Sequence, residues 1–274
     1  MIEDFIKSEI EYFSPMIDRQ KKASNEMREK WRQETVFQRI ERVSLETYDT
    51  FNGIIQYGPF KGMKLNRNTW WGRSDLGSQC LGLYEKEILN HLEKVKPYNT
   101  FIDIGAADGY YAIGMLHAGL AKKSICYEIS KDGQAAINEN WTTNKSIGAL
   151  EIYGEANEIS LNYLSSDDLK DSLVLIDIEG FEFNLLQKNV IPLFKNSELI
   201  IEIHNWVDNF AEKYTELLLN LSKFFHVGII NHIDRKTSHI DELRSYTDDN
   251  RLLLTSERRP CLMRFLHLKP KTID

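Results

Sequence analysis

Downstream of Pro97 the sequence changes period. Five short apolar runs, residues 100–104, 124–129, 150–153, 173–178 and 198–203, alternate with helical patterns over residues 110–120, 131–144 and 181–194. Strands buried on both faces read as continuous apolar runs, and a strand–helix–strand rhythm places such strands parallel to one another. A shorter turn is expected around residues 159–164 and a further helix over residues 209–224. Two last strand-like segments, 225–230 and 262–268, suggest a closing antiparallel hairpin. The expectation is an α/β fold built on one mostly parallel sheet.

Upstream of Pro97 the pattern is different. Ile2, Phe5, Ile6, Ile10 and Phe13 recur at helical spacing. Ser14-Pro15 reads as a new helix start, with Ser14 as N-cap, and a second, longer helix is expected to run toward Val43. Residues 51–95 are rich in glycine and aromatics, with short strands expected at 54–57 and 63–65 and a helix over 83–95 that Lys96-Pro97 ends. The expected division is an N-terminal helical extension with an aromatic, glycine-rich cap segment at 1–95, and an α/β domain at 96–274.

Charge narrows the partners. A net charge of −7 argues against a partner gripped mainly through its phosphates, so nucleic acid is not expected as a substrate. The basic run at residues 19–34 reads as a solvated helix face. The N-terminus carries acids where a signal peptide needs a basic head and an apolar core, and no run is long enough to span a membrane, so a cytoplasmic protein is expected. Cys80, Cys126 and Cys261 form no C-x-x-C pair and are expected to be reduced.

The first strand runs into "FIDIGAADGYYAIGM". Gly105, Ala106, Ala107, Asp108 and Gly109 form a turn almost without side chains between a strand and a helix, where a ligand can approach the backbone and the helix N-terminus. In open α/β sheets ligands sit at the carboxyl ends of the strands, where strand order reverses. The spacing is D-x-G-x-x-x-G rather than G-x-G-x-x-G, so the ligand need not contain a pyrophosphate. Glu128, in "CYEIS" at the end of the second strand, stands where an acid can accept both hydroxyls of a ribose.

These residues resemble a family. "FIDIGAADGYYAIG", "CYEIS", "LVLIDIEGFEFNLL" and "LIIEIH" are similar to the successive strand-end motifs of class I S-adenosylmethionine-dependent methyltransferases, and most closely of the FkbM-type family. The resemblance covers residues 101–204, extends more loosely to "YGPFKGMKL" and "LGLYEKEI", and does not reach the N-terminal helices. It implies a Rossmann-like seven-stranded sheet, mostly parallel with an antiparallel last strand, and S-adenosyl-L-methionine as cofactor. It also implies contacts from Asp103, Gly105, Ala106, Ala107, Gly109 and Tyr110 to the methionine end and from Glu128 to the ribose. Glu155 or Ala156 would lie near the adenine, and Asp177 would face cofactor and reacting centre. The implied acceptor is a hydroxyl of a sugar, glycoconjugate or secondary metabolite, with a homodimer through the N-terminal extension as an expected partner arrangement.

A second constellation follows from strand periodicity. Asp177 and Glu179 alternate by two, as do Glu202 and His204 one strand over, so three carboxylates and an imidazole are expected to converge beside the methyl donor. Such clustering marks a functional site. His204, oriented by a carboxylate, could take a proton from an acceptor hydroxyl. The same atoms would suit Mg²⁺ or Mn²⁺, which is not favoured because no complete family metal motif is present. A purely structural network is the third reading.

Of Trp70 and Trp71, one is expected in the core and the other in the acceptor pocket. Tyr84 and Glu85 either close over the cofactor or simply start a helix. One of Tyr110 and Tyr111 is expected near the ligand, His232 and His239 at the surface, and Arg258 and Arg259 in a solvated hairpin rather than against an anionic acceptor. Two rival functions stand beside the methyltransferase: an NAD-dependent oxidoreductase, which would want a glycine at Ala107, and a non-catalytic binding module, which has no reason to keep both glycine turn and carboxylates.

Overall fold

The computed structural model describes residues 2–22, 29–30, 32–145 and 148–271. Its centre is a seven-stranded sheet formed by β1 (Tyr98–Ile104), β2 (Ala121–Tyr127), β3 (Ala149–Tyr153), β4 (Ser172–Ile176), β5 (Glu198–Ile203), β6 (Phe225–Asn231) and β7 (Arg264–Pro270). The strand order is β3-β2-β1-β4-β5-β7-β6. The first five strands pair in parallel, and β7 runs antiparallel to both β5 and β6. The expected α/β class with an antiparallel last strand is what the chain adopts.

Among the described residues ten α-helices precede β6. They are α1 (Ile2–Lys22), α2 (Val36–Thr50), α3 (Leu76–Cys80), α4 (Lys86–Leu92), α5 (Tyr110–His117), α6 (Lys131–Asn144), α7 (Glu158–Leu161), α8 (Ser166–Leu169), α9 (Glu182–Leu185) and α10 (Phe210–Leu221). Their starts are written in the sequence: Thr35 and Gln38 close a capping box on α2, and the Ser130 hydroxyl accepts from the Gly133 N–H to cap α6. Strand alternation divides the core. Phe101, Leu173, Leu175, Ile200 and Phe265 point to one face, where they meet α4 and α5 together with Tyr48, Phe60 and Met63 from the segment before β1. Ile102, Val174, Ile176, Leu199 and Ile201 point to the other, against α9 and α10.

Four expectations are corrected. α1 runs unbroken through Ser14-Pro15, so the helix absorbs the one N–H that proline lacks instead of restarting there. Residues 23–28 and 31 of the expected second helix and basic run lie outside the described residues; the helix that contains Val43 begins at Val36, with Thr35 as its N-cap. The expected helix over 181–194 is the short α9, which ends where Leu186 leaves the helical region at φ −84°, ψ +61°, followed by a separate 3₁₀ turn, Ile191–Phe194, with Pro192 at its start, where a missing N–H costs nothing. The final strands are not joined by a simple hairpin loop. The intervening segment carries helix α11 (Asp248–Leu253) and buries Ile240, Leu243 and Leu254 against Val43, Leu81 and Leu83. Among the described residues no helix is long and apolar enough to cross a membrane.

One contact sets where the sheet opens. The Asp177 N–H donates to the Ile104 carbonyl at 2.9 Å, and the next residue, Gly105, turns away with φ +93° while donating to Tyr127 O at 2.9 Å. A Cβ on Gly105 would lie 1.8 Å from the Asp177 carbonyl oxygen, a backbone atom that cannot swing aside. Gly119 also has positive φ, +67°, but faces open space. Gly119→Ala is therefore expected to cost about 1–2 kcal/mol for the left-handed conformation alone, and Gly105→Ala about 4 kcal/mol or more because a backbone clash is added. Urea denaturation of the two variants measures the difference, and equal midpoints would show that the Asp177 carbonyl does not constrain position 105.

Candidate active site

Strand order reverses between β1 and β4, and a cavity of about 400 Å³ opens there at the carboxyl ends of the strands. Its floor is the 105–109 turn. Ala107 adopts φ +49° and Gly109 φ +81°, so the chain turns sharply from β1 into α5, with Gly109 as the N-cap. α6 packs so tightly against this turn that a Cβ on Gly133 would stand 2.7 Å from Glu128 Cγ and 2.9 Å from the Ala107 carbonyl oxygen. Glu128 is held at both ends: Oε2 accepts from the Ala107 N–H at 2.8 Å and Oε1 from the Ser130 N–H at 2.7 Å. Two backbone donors leave each oxygen a further lone pair for a ligand hydroxyl.

The residues named for the cofactor come together. Asp103, Gly105, Ala106, Ala107, Tyr110, Glu128, Glu155, Ala156 and Asp177 all line the cavity, and Gly109 caps the helix behind it. Tyr84, Glu85 and Tyr111 line it as well. So do both tryptophans, with rings 5.6 Å apart and exposures of 36% and 49%; neither enters the core. The loop that bears them is tied to the glycine turn by a hydrogen bond from the Thr69 hydroxyl to Asp108. Glu85, at φ +42°, accepts from the Tyr111 hydroxyl at 2.6 Å.

The second constellation converges, with a partner that strand periodicity does not reveal. His204 is 2% exposed and stands behind the cavity wall. Its Nε2 lies 3.4 Å from Asp177 Oδ1 and 3.8 Å from both Glu179 and Glu202. Its Nδ1 lies 3.2 Å from Oε1 of Glu182, a fully buried carboxylate that also accepts from the His204 N–H at 2.9 Å and the Gly180 N–H at 2.9 Å. Burial opposes charge on the ring, but the bond to Glu182 and the surrounding carboxylates outweigh it and raise the His204 pKa. Glu182 stands three residues after Glu179 in "IEGFE", a spacing that α9 turns inward.

Glu202 is committed elsewhere. Arg259 pairs with it and with Glu85 at 2.9 Å and Glu257 at 2.7 Å, while Arg258 pairs with Asp75. Both arginines are thus internal ion-pair partners and not part of a solvated hairpin. His232 lies 3.3 Å from Glu87 and is only partly exposed, whereas His239 is exposed as expected.

The lining is electrostatically one-sided. Glu85, Asp103, Asp108, Glu128, Glu155, Asp177 and Glu179 line the cavity, and among the described residues no lysine, arginine or histidine does. Burial, with Asp177 close by, pushes the Asp103 carboxyl up to about 8, and its Oδ2 has no hydrogen-bond partner. Burial and the nearby Glu85 push Asp177 up to about 7, against the pull of His204. Such a site favours a cationic ligand and resists a diphosphate. Asp177, Glu179 and His204 also bring three ligand atoms within 4.8 Å of one another, the geometry a divalent cation would use.

No family model matches the chain, and no curated protein matches it. Solved structures are similar to it over part of their length. The ribosomal protein L11 methylase of Lactobacillus delbrueckii subsp. bulgaricus is 18% identical, with 76% of this chain and 85% of that chain covered and a TM-score of 0.43. The precorrin-6y C5,15-methyltransferase of Geobacter metallireducens GS-15 is 10% identical, with 76% and 94% covered and a TM-score of 0.45. An rRNA methylase from Streptococcus thermophilus is 10% identical, with 65% and 90% covered and a TM-score of 0.44.

The raised carboxyls have a consequence for stability. Asp103 and Asp177 keep their protons to about 8 and about 7 in the folded chain, while an unfolded aspartate loses its proton near pH ~3.9. Between those limits the folded state binds more protons, so the stability of the ligand-free protein is expected to fall as pH rises from 5 to 8. Asp103→Asn should flatten that fall. Urea denaturation across the range tests it, and an unchanged slope in the variant would show that Asp103 is ionised in the fold.

Proposed function

We propose that the protein is an S-adenosylmethionine-dependent O-methyltransferase acting on a hydroxyl of a sugar, glycoconjugate or secondary metabolite. The single observation that carries the cofactor assignment is the cavity at the strand-order reversal, lined by seven carboxylates and by no basic side chain among the described residues. S-adenosylmethionine carries a sulfonium and an ammonium, and supplies a methyl group open to attack by an oxygen lone pair. NAD carries a diphosphate that this lining would repel. The unpartnered Asp103 Oδ2 and Tyr110 hydroxyl are polar atoms that a bound ligand would satisfy. The hydroxyl acceptor and the FkbM-type affiliation rest on the resemblance of "DIEGFE" and its companion motifs.

Each residue then has a task. Glu128, fixed by two backbone N–H groups, accepts the ribose hydroxyls, and the 105–109 turn receives the amino-acid end. Glu155 and Ala156 flank the base. Asp177 lines the cavity and has a pKa of about 7, which suits a group that removes a proton near neutral pH. His204 stays behind the wall, its Nδ1 on Glu182 and its Nε2 toward Asp177. It is therefore a positioning residue that shares the proton Asp177 takes, with Glu179 at the cavity rim. Trp70 and Trp71 flank the opening, where flat apolar surface can hold an acceptor.

Isothermal titration of the metal-stripped protein with S-adenosylhomocysteine is expected to show micromolar binding, with none for NAD; the reverse result would overturn the assignment. Because Asp177 is neutral below about 7, the affinity for S-adenosylmethionine relative to the uncharged thioether of S-adenosylhomocysteine should rise severalfold from pH 6 to pH 8. Asp177→Asn should reduce that rise, leaving the part that Asp103 supplies as it ionises toward about 8, while keeping thioether binding within a few fold. A rise undiminished by the substitution would place the responsible charge elsewhere.

A further inference from the structure

The sheet face that holds the cavity carries a second cluster of ionisable groups at the other end of its strands. Alternation along β5 puts Glu198, Ile200 and Glu202 on one face, with Glu202 in the Arg259 network and Glu198 about 13 Å away along the strand. β7 pairs Ile200 with His267, which sets His267 diagonally beside Glu198 on that face. α4 packs over it through Ile88, Leu89 and Leu92, and its last turn brings His91 down onto the pair.

We propose that His91, Glu198 and His267 form a site for a divalent metal ion of the zinc class. Glu198 Oε1 lies 2.5 Å from His267 Nε2 and 3.5 Å from His91 Nε2, and the three atoms fall within 4.8 Å of one another. A tetrahedral ion with bonds of about 2.0–2.1 Å separates its ligands by about 3.3–3.4 Å. The His91 spacing already meets that requirement, and the His267 contact needs to open by less than about 1 Å. The Nε2 of His91 is buried and faces only Glu198 Oε1, at a separation too long for a well-formed hydrogen bond, as a ligand atom beside a shared ion would be. The imidazoles meet edge to face with centroids 4.5 Å apart, so both ring edges reach the same carboxylate. Glu198 Oε2 accepts from the Tyr98 hydroxyl at 2.8 Å, an outer contact of the kind that fixes a ligating carboxylate. Two imidazoles and one carboxylate suit zinc better than magnesium or calcium, which prefer all-oxygen shells.

The ion's place in the fold indicates a structural role. It would join the last turn of α4 to β5 and β7 and, through Tyr98, to β1. The same helix starts at Lys86, directly after Tyr84 and Glu85 in the cavity wall. The inference does not depend on the methyltransferase reading, because none of the three ligands lines the cavity.

The test uses the full chain after dialysis against a chelator, with zinc chloride as the probe in competition with a chromophoric indicator. The expected result is one equivalent bound in the micromolar range or tighter, weakened at least tenfold in His91→Gln and in His267→Gln, and unchanged in the double variant Asp177→Asn, Glu179→Gln. Cobalt(II) should give the intense visible bands of a four-coordinate site, and His91→Gln, which leaves the β5–β7 pairing untouched, should lose them. No stoichiometric binding would overturn the proposal and leave a hydrogen-bonded His–Glu–His cluster. Binding that survives in His91→Gln but vanishes in the Asp177, Glu179 variant would overturn it too, by assigning the ion to the cavity cluster.

Discussion

The cavity exists because β1 and β4 stay paired to Ile104 and Ile176 and then part within a single residue. At that point the Asp177 carbonyl occupies the space where any side chain at 105 would begin. Gly105 therefore serves the protein's own backbone first and leaves the turn bare for a ligand second. A tighter strand packing and an open turn are the same structural fact seen from two sides. The turn carries Ala107, whose N–H orients Glu128, and it lies against Asp177, whose side chain enters the cavity from the end of β4. Moving the contact by an ångström would misplace both walls at once.

Carboxylates gathered in such a space repel one another, and the fold answers this in two ways. Some are kept protonated by burial, as Asp103 and Asp177 are in the absence of a cation. Others are neutralised from behind by Arg259, which pairs with Glu85, Glu202 and Glu257, and by Arg235, which reaches Glu87 and Glu257. Removing one member of a buried set like this strands the rest, so the insertion before β7 and the helix after Glu85 depend on each other. The cationic side chains stay out of the lining, and the cavity keeps its net negative field.

β5 shows how one alternating strand can serve both ends of a sheet face. Ile200 fills the core between Glu198 and Glu202, and each acid finds histidine or arginine partners from segments far away in the chain. The acids are separated by the same period that a half-buried strand uses for apolar residues.

Much of this was readable from periodicity and turn chemistry. β5 and α6 fall on the residues that the pattern marked, and the glycine turn and Glu128 sit where strand-end logic puts them, because all of these depend on near neighbours in the chain. The same local logic failed at Pro15, where a favourable cap signal lost to a continuing helix, and over 181–194, where an apolar rhythm lost to a chain that leaves the helix at Leu186. Of the second constellation, the alternation of Asp177 with Glu179 and of Glu202 with His204 was visible, but not that Glu182 would hold the imidazole or that Arg259 would take Glu202. By itself, then, the sequence determined the sheet, the bare glycine turn at the end of its first strand and the acids at the strand ends, since each follows from spacing along a few residues. Tertiary structure alone decided which charges are paired, which stay bare in the cavity and which histidines meet on one carboxylate. Those outcomes turn on contacts between segments as far apart as Glu85 and Arg259, and no local pattern encodes them.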